Sequence, residues 1–226
     1  MKINNTFFVL DTETGGLDPQ KASLMQIAGV ILKNGEVVYE YQSLVKSKDG
    51  KYMCNDFARR LHGITDEEIN ENGKLPQEII GDFKQIQDTF FDGEPMTIIA
   101  HNPAFDIAFL KQMFVDAGID IQSTISNSPY EYSNLFSRNV IDTATMALIL
   151  RLQNKIDFDR CSLDNIIKFY EIPNNAQQRH SALYDAEQTA IAFLCMLEDL
   201  SSQEKRLQKE DKVYDEDFDD EKKLLR

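Results

Sequence analysis

Residues 9–17 read VLDTETGGL, an apolar run that passes through two acidic residues and ends in a pair of glycines. Successive side chains of a β-strand point to opposite faces, so Asp11 and Glu13 face the same way, about 7 Å apart along the backbone. Two like charges at this spacing are costly unless a proton or a cation lies between them. The pair is therefore a candidate Mg²⁺ or Mn²⁺ site, although an isolated D-x-E more often ends a strand and leaves its carboxylates in solvent.

The segments on either side of this run predict an α/β protein whose sheet begins with three antiparallel strands. Residues 7–11, 24–32 and 37–44 are apolar and β-prone, and Asn34-Gly35 is a two-residue hairpin signal between the second and third strands. The later chain alternates predicted helices with two short predicted strands. The helices are expected at residues 76–91, 103–117, 143–152, 163–170 and 181–200, and the strands at 96–100 and 140–141.

A second acidic position lies in IIAHNPAFDIAFL, residues 98–110. Asn102 and Pro103 predict the start of a helix, because an Asn side chain can accept the free amide groups and Pro needs no partner for its missing N–H. Asp106 falls one turn later, on the face that follows the strand. Taken alone, Asp106 is more simply a solvated helix carboxylate, and Phe105 is a core residue that could also stack on a base.

A third cluster lies in RHSALYDAEQTA, residues 179–190. Ser181 is a predicted N-cap, which places Asp185 in the first turns of a helix and His180 on the loop before it. An imidazole at the mouth of a site, beside a carboxylate that can reach the same metal, is the arrangement that activates water. A lone His before a helix is usually only polar surface.

The composition limits the classes of protein that this chain can belong to. Its 226 residues suit one domain with a short appendage, and its net charge of −14 argues against broad, non-specific nucleic-acid binding. Any contact with nucleic acid must therefore be local. No apolar run approaches the length of a membrane span and the N-terminus lacks the features of a secretory signal, so we expect a cytoplasmic protein with no membrane partner.

Together the three clusters resemble the DEDDh-type, DnaQ-like superfamily of 3′→5′ exonucleases, which includes polymerase proofreading subunits, oligoribonucleases and ribonuclease T. The resemblance covers residues 6–197 and keeps the family's order and spacing. It rests on DTETGGL at 11–17, LHGITDEEI at 61–69, HNPAFD at 101–106, VIDTATMAL at 140–148, CSLDNII at 161–167 and the H-x4-D motif at 180–185.

This resemblance implies a ribonuclease H-like fold, with a mixed sheet of antiparallel and then parallel strands flanked by helices, and two Mg²⁺ or Mn²⁺ ions in each active site. Asp11 would bridge both ions. Glu13 and Asp185 would complete the ion that holds the attacking water, Asp106 would support the leaving-group ion, and His180 would act as general base. The substrate pocket would be lined by Thr12, Thr14, Leu17, His62, Gly63, Asn102 and Phe105. His101 is a further candidate for this pocket, but its place before the predicted N-cap is equally suited to a hydrogen bond within the protein framework.

The implied function is the release of 5′-mononucleotides from single-stranded 3′ ends of DNA or RNA, in proofreading or end trimming. A polymerase or another replication or repair protein is an expected partner. The exonuclease domain is predicted to cover residues 1–200, followed at 201–226 by a charged tail or helix extension. This boundary follows the composition, because from Glu198 onward the chain holds eleven acidic and seven basic residues.

Two other functions also fit parts of the sequence. Residues 11–14 also resemble the D-x-D-x-T strand motif of aspartate-nucleophile phosphatases, but those enzymes need a second Asp, a Lys beside the phosphate and a late acidic pair, whereas the late motif here is H-x4-D. The other alternative is a non-catalytic module that kept the fold to bind a partner or a nucleic-acid end. The complete set of four acids and His180 argues against that loss of function.

Overall fold

The computed structural model describes residues 6–119, 135–175 and 177–201. Their strands form one mixed sheet in the order β3-β2-β1-β4-β5. The first three strands pair antiparallel, whereas β4 is parallel to both β1 and β5. The strands are β1 (Thr6–Thr14), β2 (Leu24–Lys33), β3 (Glu36–Leu44), β4 (Met96–Ala100) and β5 (Phe136–Asp142).

Helices cover both faces of this sheet. Phe8 and Leu10 of β1 pack into the core on one face, whereas Val9 packs on the other face with Phe193. Because the side chains of β1 alternate between the two faces of the sheet, this strand packs against the helices on both sides. The helices are α1 (Asp56–His62), α2 (Asp66–Asn72), α3 (Pro76–Phe90), α4 (Pro103–Asp116), α5 (Thr143–Leu152), α6 (Leu163–Phe169) and α7, whose described part covers residues 182–201.

The predicted α/β fold with a mixed sheet is confirmed. The strand predicted at 140–141 is longer and runs through Phe136–Asp142, and α1 and α2 were not predicted. The predicted hairpin is also present, because Asn34 and Gly35 both have positive φ, at 54° and 87°. Apart from Ser201, the predicted charged tail at 201–226 lies outside the described residues. None of the described helices has the length and apolar character that crossing a membrane requires.

The end of β1 is held by the loop that precedes α1. The Gly15 N–H donates to the Ser23 carbonyl at 2.8 Å, and the Gly15 carbonyl accepts from the backbone N–H of Asn55 at 2.8 Å and from its side-chain amide at 3.0 Å. A Cβ on Gly15 would lie 2.0 Å from the Met53 carbonyl oxygen. Only glycine allows this close approach, which fixes where β1 ends and where its acidic residues stand.

Gly15→Ala is therefore expected to destabilise the fold by about 2–3 kcal/mol, because two backbone segments must separate to admit the methyl group. Gly81→Ala is the matched control. A Cβ there meets nothing within 4 Å, and alanine is the better helix former, so this variant should gain about 0.5–1 kcal/mol. Urea unfolding of both variants measures the difference, and equal stabilities would contradict the packing described at the end of β1.

Candidate active site

Four carboxylates meet at one edge of the sheet. Asp11 and Glu13 lie at the end of β1, Asp106 lies in the first turn of α4, and Asp185 lies in the first turn of α7. Because β4 runs parallel to β1 and beside it, α4 begins at the edge where β1 ends. Glu13, Asp106 and Asp185 are only 7%, 4% and 7% exposed. The structure thus brings together the four acids that the sequence placed in three separate motifs.

The start of α7 is positioned by a residue that the sequence reasoning missed. The backbone N–H of Ala182 donates to the Gln26 side-chain oxygen at 3.0 Å, and Gln26 is paired with Glu13 in the β1–β2 ladder. One polar residue inside an apolar strand therefore satisfies a free amide at the helix start and places Asp185 beside Glu13. Its only signal in the sequence is a Gln within LMQIAGVIL.

The clustering changes the acidity of these groups. Burial, and then the charges of Asp185 and Asp106, raise the pKa of Glu13 to about 8. Burial raises the pKa of Asp106 to about 7, against the lowering effect of a hydrogen bond from Thr12. Burial and then its three acidic neighbours raise the pKa of Asp11 well above its usual value. Charging all four groups together is therefore unfavourable unless cations lie between them.

The Thr12 hydroxyl donates to Asp106 Oδ1 at 2.7 Å, and the residue is 8% exposed. The sequence resemblance assigned Thr12 to the substrate pocket. In the structure its side chain is used inside the carboxylate cluster, where it orients one oxygen of Asp106.

His180 stands beside the carboxylates in the left-handed backbone conformation, with φ of 66°. Its backbone N–H donates to Asp185 Oδ2 at 3.3 Å. One ligand atom from each of Glu13, His180 and Asp185 lies within 4.8 Å of the other two. The imidazole is therefore close enough to exchange a proton with a water molecule at this site, and close enough to serve as a ligand itself.

Oxygen-rich sites of this kind fit Mg²⁺ and Mn²⁺, which prefer carboxylates as protein ligands. The fit follows from the donors. Four converging acids have their pKa raised by burial, so a divalent cation would replace the protons that otherwise reduce their mutual repulsion.

A basic residue not predicted from the sequence also reaches this cluster. Arg179 donates through Nη1 to Asp185 Oδ1 and through Nη2 to Asp164 Oδ1, the latter at 2.6 Å. It counteracts the effect of burial by lowering the pKa of Asp11, Glu13 and Asp185. Asp164 belongs to the segment CSLDNII, so that segment supplies a charge as well as framework.

Asn102 is the N-cap of α4 and Pro103 is its first residue, as predicted, but the predicted role of the Asn102 side chain is wrong. Asn102 has a left-handed backbone, with φ of 63°, and its side chain makes no capping hydrogen bond to α4. Its backbone N–H donates instead to Asp142 Oδ1 at 3.0 Å, the oxygen that also caps α5 through Ala144 N. His101 forms the expected framework hydrogen bond, with Nδ1 3.0 Å from Thr143 Oγ1.

The other predicted pocket residues lie at the end of β1 and on the loop after it, at the end of α1 and on α4. Leu17 is 87% exposed and lines a shallow cavity of about 420 Å³ together with Met53 and Asn55. The Phe105 ring contacts that of Phe109, with centroids 5.1 Å apart. Thr14 donates to the Gly16 carbonyl at 2.8 Å, His62 Nδ1 accepts from the Ile64 N–H at 3.0 Å, and Gly63 ends α1 with φ of 72°.

Two apolar side chains of α1 were not predicted and are exposed to solvent. Phe57 is 68% exposed and Leu61 is 42% exposed, on the helix that ends at His62. Met53, at 55% exposed, lines the cavity together with Leu17. An apolar side chain exposed at a candidate nucleotide pocket is suited to contact with bases.

Comparison with protein families agrees with this geometry. The family model RNase_T, described as Exonuclease, matches residues 8–193. A DNA polymerase III of the PolC type from Thermotoga petrophila is 31% identical over 199 residues, which are 86% of this chain and 12% of that protein. The corresponding protein of Mycoplasmopsis pulmonis is 26% identical over 208 residues, 92% of this chain and 12% of that protein. The chain thus spans about an eighth of the length of these relatives.

Solved structures show the same fold. E. coli Exonuclease I in complex with a dT13 oligonucleotide superposes with a TM-score of 0.67 at 18% identity, over 91% of this chain and 43% of that one. Another Exonuclease I structure gives a TM-score of 0.66 at 19% identity, over 83% of this chain and 39% of that one. These likenesses confirm the ribonuclease H-like fold.

Proposed function

Because the chain belongs to the exonuclease family, within the DEDDh-type, DnaQ-like superfamily, we propose that it is a metal-dependent 3′→5′ exonuclease that releases 5′-mononucleotides from single-stranded ends. The observation that carries the proposal is the convergence of Asp11, Glu13, Asp106 and Asp185 on one buried site with His180 beside them. The phosphatase alternative rested on residues 11–14 alone, and family membership removes the ground for it.

We assign the four carboxylates to two Mg²⁺ or Mn²⁺ ions. Bound there, the cations would stabilise negative charge on the attacking and departing oxygens of the phosphodiester. The raised pKa values of Glu13 and Asp106 support this assignment. Clustered acids resist ionisation because their negative charges repel, and a bound dication supplies the positive charge that allows them to ionise and act as ligands.

The chain's own residues would move the proton and hold the geometry. His180 accepts the proton of the attacking water, whose oxygen bonds to phosphorus while the bond to the 3′ oxygen of the preceding nucleotide breaks. The terminal nucleotide then leaves with a 5′ phosphate. Asp185 holds the His180 backbone through the 3.3 Å hydrogen bond, and Thr12 fixes one oxygen of Asp106.

The substrate pocket is proposed to admit only the last few nucleotides of a strand. Leu17, exposed by 87%, and Phe105 offer apolar surfaces to bases, and stacking accepts any base. Thr14, His62, Gly63 and Asn102 are assigned to the same pocket. A net charge of −14 leaves little attraction for a long stretch of phosphates, so the grip is local.

Single-stranded DNA is the proposed substrate, because the relatives include DNA polymerases III and the fold neighbour is Exonuclease I with bound dT13. The same relatives make a polymerase, or another replication or repair protein, the proposed partner. RNA hydrolysis at an equal or higher rate would assign the chain to RNA trimming instead.

The function is tested with a 5′-labelled single-stranded oligonucleotide in Mg²⁺ or Mn²⁺ and in excess chelator. We expect successive shortening by one nucleotide, complete loss of activity on chelation and its recovery on adding metal. The matched substrates are the same strand with a blocked 3′ end and a circular strand, both of which should stay intact. Full activity in chelator would exclude the metal mechanism, and binding without any cleavage would favour the non-catalytic alternative.

A further inference from the structure

Arg179 lies between two carboxylates that belong to different helices. Its Nη2 donates to Asp164 Oδ1 of α6 at 2.6 Å, and its Nη1 donates to Asp185 Oδ1 at the start of α7. The Arg179 side chain is 12% exposed, as is appropriate for an internal ion pair, whereas that of Asp164 is 69% exposed. The guanidinium therefore bridges the candidate metal site to the protein surface.

Both oxygens of Asp185 already have donors. Oδ1 accepts from Arg179, and Oδ2 accepts from the His180 N–H at 3.3 Å. A cation that takes Asp185 as a ligand is in competition with the guanidinium for the negative charge of the carboxylate and is repelled by the positive charge of Arg179. Arg179 cannot avoid this competition by losing a proton, because a guanidinium stays charged in proteins.

Asp164 remains an ionic partner for Arg179 when a cation binds Asp185. A nearly buried guanidinium without a partner is strongly unfavourable, but one that keeps Asp164 remains paired. The bond to Asp164 uses a different nitrogen from the bond to Asp185, so the first can persist while the second is broken.

We propose that Arg179 is an internal counter-ion that holds Asp185 when divalent cations are absent and releases it to them, keeping Asp164 as its partner. The inference rests on the proposed function only in assigning Asp185 to the metal. Arg179 is then a positioning residue with two opposite effects. It stabilises the metal-free site, and it raises the cation concentration at which the site fills.

The test is calorimetric Mn²⁺ titration without substrate, together with thermal unfolding in chelator. Arg179→Met should bind Mn²⁺ about tenfold more tightly, the size expected for one close charge pair, and should melt at a lower temperature when metal-free. The control is Arg151→Met, which removes a surface arginine bonded to the Asp159 carbonyl and should match the wild type. Asp185→Asn gives the background from Mn²⁺ bound elsewhere on this acidic chain.

Asp164→Asn should have the opposite effect on the affinity for Mn²⁺. It leaves the released guanidinium without an ionic partner, so Mn²⁺ binding should weaken about tenfold. Removing a negative charge near the site would also weaken binding by long-range attraction alone. The double variant separates the two causes, because in the Arg179→Met background Asp164→Asn should change the affinity by less than about twofold if the partner role is the cause.

Unchanged or weaker Mn²⁺ binding in Arg179→Met would overturn the inference, as would an equal effect of Asp164→Asn in both backgrounds. If metal-free Arg179→Met does not fold, Arg179→Gln keeps a hydrogen-bonding side chain but removes the charge, and it should bind Mn²⁺ more tightly than the wild type. Equal or weaker binding by Arg179→Gln overturns the inference too. A wild-type chain that binds no Mn²⁺ at the site overturns the proposed function with it.

Discussion

The His180→Ala variant is expected to keep wild-type affinity for Mn²⁺ and to hydrolyse a single-stranded oligonucleotide about 10²–10⁴-fold more slowly, the usual contribution of a positioned general base. The reason is the role proposed for the imidazole, which accepts a proton rather than holding the cation.

Asp185→Asn is the matched comparison. A neutral amide oxygen is a poorer ligand for a hard dication, so this variant should lose Mn²⁺ affinity and activity together. Calorimetric Mn²⁺ titration beside measured rates of oligonucleotide hydrolysis separates the two residues. A His180 nitrogen lies within 4.8 Å of ligand atoms of Glu13 and Asp185, so the imidazole is also close enough to be the metal ligand itself. If His180→Ala loses the metal while Asp185→Asn keeps it, the imidazole is the ligand and the proposed roles are exchanged.

The metal-free protein is expected to become less stable as pH rises from about 4 to 8. Glu13 has a pKa of about 8 in the folded chain against 4.5 ordinarily, and Asp106 has about 7 against 3.8. The folded state therefore binds more protons than the unfolded state across this range, which lowers the free energy of unfolding as pH increases. The loss is absent below the unfolded pKa and complete above the folded pKa, and it is on the order of 4–5 kcal/mol for either carboxyl taken alone.

Urea unfolding in chelator at a series of pH values measures this effect, and the same series in saturating Mn²⁺ is its counterpart. Cations that replace the protons should remove the loss, so the two stability curves should diverge as pH rises. Glu13→Gln supplies the control, because it lacks one titrating carboxyl and should show a shallower slope without metal. A metal-free stability that increases between pH 5 and 8 would falsify the close packing of these acids.

Much of the fold was predictable because its elements carry regular patterns. The strand at Met96–Ala100 and the helix at Thr143–Leu152 have the predicted bounds. In contrast, α1 and α2 have seven residues each, too few for a periodic apolar face. Their signal lay in the caps instead, where Asn55 accepts from Ala58 N at 2.9 Å and Thr65 accepts from Glu68 N at 3.1 Å.

The site, like the fold, has features that the sequence predicts and features that it does not. Its four acids and His180 could be found because each stands in a short motif with fixed spacing. The contacts that orient them could not, since Gln26 reaches Ala182 across 156 residues and Arg179 reaches Asp164 on another helix. The backbone contact from Asn102 to Asp142 could not be predicted either, because Asp142 comes from a strand that no local rule connects with the start of α4.

The left-handed backbone at Asn102 and His180, with φ of 63° and 66°, bears on attempts to make this chain more robust. Each residue precedes a helix whose first turn carries an acid of the site. For side chains other than glycine such conformations cost about 1 kcal/mol or more, least for Asn. Selection for thermal tolerance alone would favour glycine at both positions and would discard the imidazole at one. Engineering for shelf life should therefore leave these two positions fixed and seek its gains in the outer layers of the helices.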